Sequence, residues 1–535
     1  MHSAVPRLLV TLLLALVSLG VAATEQLPVV RPAITCAALL GTDLTDLAGP
    51  GSHVRSAKEA TVNGIAVCAV EGVLAPAIGF RLQLPLHTWT QRYLQLGCGG
   101  FCGNAESGAF VVDGCAPLSE GEFATATTDM GHQTSGGAFG LDPQQRVDFA
   151  YRGVHLTALA AKKLIARFYR QAPAFSYFSG CSDGGREALM EAQRYPEEFD
   201  GILAGAPSLI FVVQNGLYHP WQARANLDAN GQPILLAEKL PLLHSAVLNQ
   251  CDGLDGQVDG VLSDPRLCTV NLQALLCKAG DAPATCLSAA EIAAVQRLYD
   301  GPRDSHTGER LSLGGPMPGS ELAWAGQYVP YDAQHPSRSQ LVAQEALSSV
   351  VFEPNPAKDF RLADLRFERS TLERLRVTHP LYDASNPDLS AFANAGNKLL
   401  LWHGWADQNI TPLNSITYYD ALQRQMGSAQ AQAFSRLYML PGLYHCAGGE
   451  GLVRVDMLTP LMNWVERGQS PDAIVTSNDK GASRPVFPYP ILATYNGQGD
   501  PKQASSYHPG AALVNPPPVP WLGEDLFRPY SPRVR

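Results

Sequence analysis

Phe175-Ser-Tyr-Phe-Ser-Gly180-Cys181-Ser182-Asp183-Gly184 is an apolar run that ends on a serine set between two glycines. The run reads as a short buried strand, and Gly185-Arg-Glu-Ala-Leu-Met-Glu-Ala192 behind it is rich in helix formers. Strand, G-x-S-x-G, helix is the setting in which a backbone turns sharply enough to lift a serine hydroxyl clear of a sheet. An ordinary glycine-rich turn has the same letters, so the serine needs partners elsewhere before it counts as a nucleophile. A hydroxyl attacks poorly at neutral pH and takes a histidine base, itself oriented by a carboxylate.

Partners of the right kind stand downstream in the order serine, acid, histidine. Lys398-Leu-Leu-Leu-Trp-His403 predicts a strand followed by Asp407, and Arg436-Leu-Tyr-Met-Leu440 predicts another followed by His445. Alone, each would be an ordinary loop residue; together Ser182, Asp407 and His445 read as one proton relay. Cys181 directly precedes the serine and Cys446 directly follows the histidine. A bridge between them would staple base to nucleophile; two unrelated buried thiols are the alternative. Upstream, Arg92-Tyr-Leu-Gln-Leu96 predicts a strand running into Gly97-Cys-Gly-Gly100-Phe101. That spacing matches neither phosphate-binding glycine pattern. It reads as one side of an oxyanion hole, with the N–H of Asp183 as the second donor. His132 precedes the nucleophile and is expected in a structural or pocket-wall role.

Around these points the chain alternates strands with helices. Phe80–Leu84, Phe123–Thr127 and Gly201–Gly205 read as further strands, and Val147–Tyr169, Thr411–Met426 and Leu458–Arg467 as helices. This predicts an α/β fold with a mostly parallel sheet, formed by residues 24–207 and 398–535. Between 208 and 397 the rhythm breaks, and aromatics, prolines and the tightest cysteine cluster gather there. That segment is expected to be a lid inserted over the C-terminal edge of the sheet. Its Phe211, Tyr218, Trp221, Trp324, Tyr328 and Tyr331 would line an acyl pocket, or form the lid's own core, or both. From Asn515 the proline-rich tail is expected to be irregular.

At 535 residues the chain is too long for one compact core, while 46% hydrophobic and 16% charged residues are those of a packed globular protein. A formal net charge of −10 argues against general nucleic-acid binding. Arg7, the apolar run Leu8–Ala22 and the small residues Val21-Ala22-Ala23 read as a signal peptide over residues 1–23. The mature chain is therefore expected outside the cytosol, periplasmic or extracellular, with no membrane anchor. Eleven cysteines suit that compartment, and the odd number leaves at least one without an intrachain partner. A zinc reading of Cys98-x-x-x-Cys102 is weak, because no second pair or histidine cluster accompanies it.

A second site is written into the inserted segment. Cys251-Asp252-Gly-Leu-Asp255-Gly-Gln257-Val-Asp259-Gly-Val261 crowds three carboxylates onto one glycine-turned loop. Hard oxygen ligands at that density suit calcium, with main-chain carbonyls of Gln257 and Val261 completing the shell. Asp-Gly turns without metal are also common, and the spacing is not that of an EF-hand.

Cys181-Ser-Asp-Gly-Gly-Arg186, His403-Gly-Trp-Ala-Asp407, His445-Cys446, Thr128-Asp-Met-Gly-His132, Phe199–Pro207 and Arg484–Pro490 resemble the tannase/feruloyl esterase family of secreted serine esterases. The resemblance implies an α/β-hydrolase core with a large lid, a Ser182–Asp407–His445 triad and oxyanion donors at Gly100 and Asp183. It also implies calcium at Asp252, Asp255, Gln257, Asp259 and Val261, and bridges Cys181–Cys446, Cys36–Cys68, Cys251–Cys268 and Cys277–Cys286. Phe487 stands where some relatives carry a cysteine, so that bridge is absent, and Cys98, Cys102 and Cys115 are surplus to the common set. The implied activity is hydrolysis of small aromatic esters such as gallates, ferulates or a terephthalate monoester. For the last of these, Arg338 would pair with the second carboxylate. A serine peptidase of the same order, and a silent hydrolase-fold binding protein, are the other readings.

Overall fold

The computed structural model describes residues 27–106, 108–134, 136–512 and 519–532. The expected signal peptide lies outside the described residues, as does part of the proline-rich tail. Among the described residues one sheet is built from nine strands. They are β1 (His53–Val62), β2 (Ile65–Leu74), β3 (Ile78–Pro85), β4 (Arg92–Leu96), β5 (Phe123–Thr128), β6 (Phe175–Cys181), β7 (Gly201–Gly205), β8 (Lys398–Gly404) and β9 (Ser435–Leu440). Their spatial order is β1-β2-β3-β5-β4-β6-β7-β8-β9. The first three form an antiparallel meander, β3 joins β5 antiparallel, and from β5 to β9 all pairings are parallel.

The parallel strands are apolar almost throughout because helices cover both faces of the sheet, and β6 to β9 are buried nearly end to end. On one face the helix Leu458–Arg467 buries Leu458, Leu461, Met462 and Trp464 against Trp402 and Tyr438. On the other the helix Asp183–Arg194 buries Ala188, Leu189, Met190 and Ala192. The helix expected from Val147 begins earlier, at Pro143. Asp142 caps it by accepting the Gln144 and Gln145 N–H groups, and a π-helical turn over Asp148–Arg152 precedes the long stretch Gly153–Tyr169.

The strands β1 and β2 and two minor sheets escaped the sequence reading. β1 is an edge strand with mostly exposed side chains, Arg55, Lys58 and Glu59 among them, so it lacks the apolar alternation that marks a half-buried strand. The Cys36–Cys68 bond spans 32 residues. It ties the turn Cys36–Leu39 to the middle of β2, with β1 lying between the two cysteines in the chain. Beyond β9, two minor sheets form: Arg454–Val455 with Ile474–Ser477 and Ser483–Val486, and Ile491–Tyr495 with Tyr507–Ala512.

Between β7 and β8 the chain contributes no strand to the main sheet. It forms a continuous helical stretch over Phe211–Ala225, further helices at Leu240–Cys251, Ala289–Asp300 and Arg338–Glu345, and an apolar cluster of its own around Leu243, Val295, Leu298 and Trp324. No helix among the described residues is long and apolar enough to cross a membrane.

Candidate active site

Ser182 sits where β6 gives way to the helix Asp183–Arg194, with φ 65° and ψ −120°. An L-residue rarely adopts that backbone, and two glycines make it feasible. A Cβ on Gly180 would lie 2.3 Å from the Gly184 carbonyl oxygen, and one on Gly184 would lie 2.8 Å from that of Cys98. The turn is held by the Ser182 N–H on the Gly205 carbonyl (3.0 Å) and by the Ser208 N–H on the Ser182 carbonyl (3.0 Å).

The loops after β8 and β9 meet beside it. The Trp405 N–H donates to the Leu440 carbonyl (2.9 Å) and the Ala406 N–H to that of Leu443 (3.1 Å). Gly404 allows this contact, since a Cβ there would approach the Leu443 oxygen to 2.2 Å. As a result Asp407 Oδ2 lies 2.7 Å from His445 Nδ1, and His445 Nε2 lies 2.8 Å from Ser182 Oγ. Asp407 is wholly buried. Its Oδ1 accepts the Asn409 and Ile410 N–H groups at 2.8 and 2.9 Å, and His403 Nε2 stands 3.2 Å from Oδ2. Burial alone would raise this carboxyl. The charge of His445 and the hydrogen bonds from His403 and His445 outweigh burial and hold it well below the usual carboxylate range. An ionised Asp407 placed here can accept an Nδ1–H from His445, and that tautomer would turn a bare Nε2 towards the serine hydroxyl. Cys181 and Cys446 are bonded across a separation of 265 residues, so both loops are covalently tied.

Ser182 and His445 open onto a cavity of about 320 Å³ whose wall also includes Gly100 and Asp183, and, from the segment between β7 and β8, Phe211, His219 and Arg338. Of the six aromatics considered for an acyl pocket, Phe211 lines this cavity. Trp221, Trp324 and Tyr328 pack within the segment's own core, Tyr218 is buried, and Tyr331 is 72% exposed. Burial pushes the His219 imidazole down to about 4, which keeps a neutral ring in the wall. His132 is buried and stacks on Phe139 at 4.6 Å.

Below the cavity lies a charged network that sequence reasoning missed. The Asp183 carboxylate takes Arg186 Nε at 2.6 Å and a terminal guanidinium nitrogen at 2.9 Å. Arg186 is itself wholly buried and also donates to the Ala150 and Phe149 carbonyls. Glu187, one residue on, is equally buried, and burial reinforced by the Asp183 charge pushes its carboxyl far up. No local signal in the sequence marked either, since the helix Asp183–Arg194 also carries Asp183, Glu191 and Arg194 and looks like any polar helix. Cys98 and Cys102, which the sequence left unpaired, are bonded to each other above Glu187, and Cys115 is free and buried. His403, read only as a strand end, is the second histidine on Asp407; its i, i+4 spacing from that acid was the available clue.

The bridges Cys36–Cys68, Cys251–Cys268 and Cys277–Cys286 are all formed. In the acidic loop, Asp252 accepts the Asp259 and Gly260 N–H groups (3.2 and 2.9 Å), and Asp255 accepts the Gln257 N–H (2.9 Å) and the Ser263 hydroxyl. Burial raises the Asp255 carboxyl, and the neighbouring Asp259 charge adds to it. Asp259 pairs with Arg484 at 2.5 Å, so one positive charge is already present, which the sequence reading did not foresee. Three carboxylates alongside main-chain carbonyls are hard oxygen donors throughout, a set that fits calcium by its chemistry.

Residues 62–509 match the family model for tannase and feruloyl esterase. Over 521 aligned residues the chain is 33% identical to mono(2-hydroxyethyl) terephthalate hydrolase of Piscinibacter sakaiensis, covering 83% of this chain and 85% of that one. It is 28% identical over 489 residues to a probable feruloyl esterase B-1 of Aspergillus flavus, covering 85% and 88%. The crystal structure of feruloyl esterase B from Aspergillus oryzae superposes with a TM-score of 0.76 at 25% identity, covering 89% of this chain and all of that one. The chain belongs to the tannase and feruloyl esterase family and is a carboxylic ester hydrolase.

Proposed function

We propose that the protein hydrolyses esters of small aromatic acids by acyl transfer through Ser182. The observation that carries this reading is the unbroken line from Asp407 through His445 to Ser182, at 2.7 and 2.8 Å, opening onto a cavity of about 320 Å³. His445 takes the serine proton as Oγ attacks the acyl carbonyl, and the N–H groups of Gly100 and Asp183 stabilise the oxyanion. His445 then protonates the leaving alcohol, and a water activated by the same imidazole releases the acid. Ser182→Ala should abolish turnover of an activated aromatic ester with the melting temperature unchanged. Retained turnover would remove Ser182 from the reaction, and peptide cleavage would favour the peptidase reading.

Within aromatic esters, Arg338 favours an acid that carries a second carboxylate. Arg338 is exposed and lines the cavity, and its guanidinium makes no hydrogen bond or ion pair with the described residues. A relative at 33% identity is named a mono(2-hydroxyethyl) terephthalate hydrolase, which has such a substrate. Turnover of that monoester, methyl ferulate and methyl gallate, with Arg338→Ala as control, separates the cases. Loss confined to the monoester supports the assignment, and equal loss on all three opposes it.

The segment 208–397 is proposed as the lid over this site, and its acidic loop as a calcium site held by Asp252, Asp255, Asp259 and the carbonyls of Gln257 and Val261. Bound there, the cation would neutralise the carboxylates and stiffen the loop, with no part in the reaction. Five disulfides among the described residues suit export to an oxidising compartment.

A further inference from the structure

Cys98 and Cys102 bracket Gly99, Gly100 and Phe101, and all three enclosed residues line the cavity beside Ser182. The turn carries left-handed backbone at its middle and at its closing cysteine. Gly100 has φ 64° and Cys102 φ 60°, and the Cys102 N–H returns to the Gly99 carbonyl at 3.0 Å. A left-handed backbone is easy for glycine and unfavourable for cysteine. Gly99 and Gly100 are exposed, so packing does little to hold them, whereas a catalytic donor must be held to a fraction of an ångström.

What holds the turn from below is the helix that begins after Ser182. The Cys98 N–H donates to Glu187 Oε2 at 3.2 Å, and Glu187 Oε1 lies 2.8 Å from Cys98 Sγ and 3.4 Å from Cys102 Sγ. Glu187 in turn adjoins Asp183, which Arg186 clamps. The main chain of Asp183 supplies the other proposed oxyanion donor, so the ring and that donor share one support. The two sulfurs and two carboxyls lie within 4.8 Å of one another. With the sulfurs bonded to each other, that grouping is a structural clasp and not a set of thiolate ligands.

We propose that the Cys98–Cys102 bridge, seated on Glu187, is a positioning element that holds the Gly100 N–H in register with Ser182, and so governs turnover of the bound ester and not its binding. The proposal rests on the Ser182 acyl-transfer reading. An oxyanion exists only on the way to and from the tetrahedral intermediate, so a loosened donor lowers kcat and leaves KM nearly alone.

The test is Cys98→Ser/Cys102→Ser in the full chain, measured on an activated aromatic ester beside Ser182→Ala. Loss of a whole oxyanion donor costs about 10²–10³ in kcat, so a displaced one should cost about tenfold or more, with KM within about twofold. The rate at which a fluorophosphonate phosphonylates Ser182 should fall in step. An inactive Ser182→Ala together with a double variant at full kcat overturns the clasp alone; an active Ser182→Ala overturns the reading beneath it. A rise in KM at unchanged kcat also overturns the clasp. Should the double variant fail to fold, wild-type enzyme titrated with a phosphine reductant and mapped by alkylation and mass spectrometry replaces it. Loss of kcat that follows exposure of Cys98 and Cys102, with Cys181–Cys446 intact, supports the proposal. Full kcat with both exposed, or loss that follows Cys181 and Cys446 instead, overturns it.

Discussion

Asp407 and Asp259 are both loop aspartates with a positive or potentially positive partner, yet their surroundings differ in kind. Asp407 is wholly buried, and its oxygens are taken up by two main-chain N–H groups and two histidines. Asp259 lies nearer the surface among other acids of its own loop, and its strongest partner is Arg484, 225 residues away. In the relay the acid is 38 residues from its histidine, which is 263 from its serine. The sheet and a disulfide enforce that convergence. In the acidic loop the chain itself supplies the proximity, and the structure has only to relieve the repulsion. A geometry imposed from far away is preorganised for chemistry, whereas crowding of neighbours along the chain calls for a counter-charge.

The sharpest way to break this contrast is to neutralise each acid in turn. Asp407→Asn should keep the fold, present the wrong histidine tautomer and lower kcat by on the order of 10⁴. Asp259→Asn should leave kcat within about threefold. Steady-state kinetics on one ester decides, and a loss below tenfold for Asp407→Asn would mean the relay does not drive the reaction.

The covalent tie comes next. Cys181→Ser/Cys446→Ser opens a very long loop, and long loops carry large closure terms; a loss of about 2–5 kcal/mol is expected in denaturant unfolding. An unfolding midpoint that does not move would show that the sheet alone brings the two loops together.

Chelation probes the other side. If calcium relieves the acidic loop, a chelator should lower the melting temperature by several degrees, and Asp255→Asn/Asp259→Asn should remove that response along with calcium detected by elemental analysis. An identical melting curve with and without chelator would leave Arg484 as the sole compensation.

The smallest effect concerns His244, buried in the inserted segment with its Nδ1 2.7 Å from Glu321. Burial opposes its charge, but the hydrogen bond and charge of Glu321 prevail and raise it above the ordinary value. A raised folded-state value contributes stability fully present below the unfolded value, about 6.5, and lost as pH rises through the folded one. Melting temperature should therefore decline modestly above that pH, and His244→Gln should flatten the decline. A flat wild-type curve would show that the pair adds nothing.

Much of this molecule was legible before its structure because the signals are local. Strands such as Lys398–Gly404 are continuous apolar runs, the helix Leu458–Arg467 has its expected bounds, and the serine turn is written in glycines that a Cβ would obstruct. The edge strand β1 was not legible, since its exposed face carries no apolar period. Nor was the fate of the aromatics: Phe211 and Trp324 look alike in sequence, and one lines the cavity while the other is packed inside the inserted segment.

By itself the sequence determined where the chain turns, which strands are buried on both faces, and the chain order of a serine, an acid and a histidine at strand ends. Only the tertiary structure decided that Cys98 bonds to Cys102, that His403 shares Asp407 with His445, and that Arg186 and Glu187 are buried beneath the serine. The reason is physical. Backbone conformation and apolar periodicity act over a few residues, whereas the cost of burying a charge and its choice of partner depend on everything that packs around it.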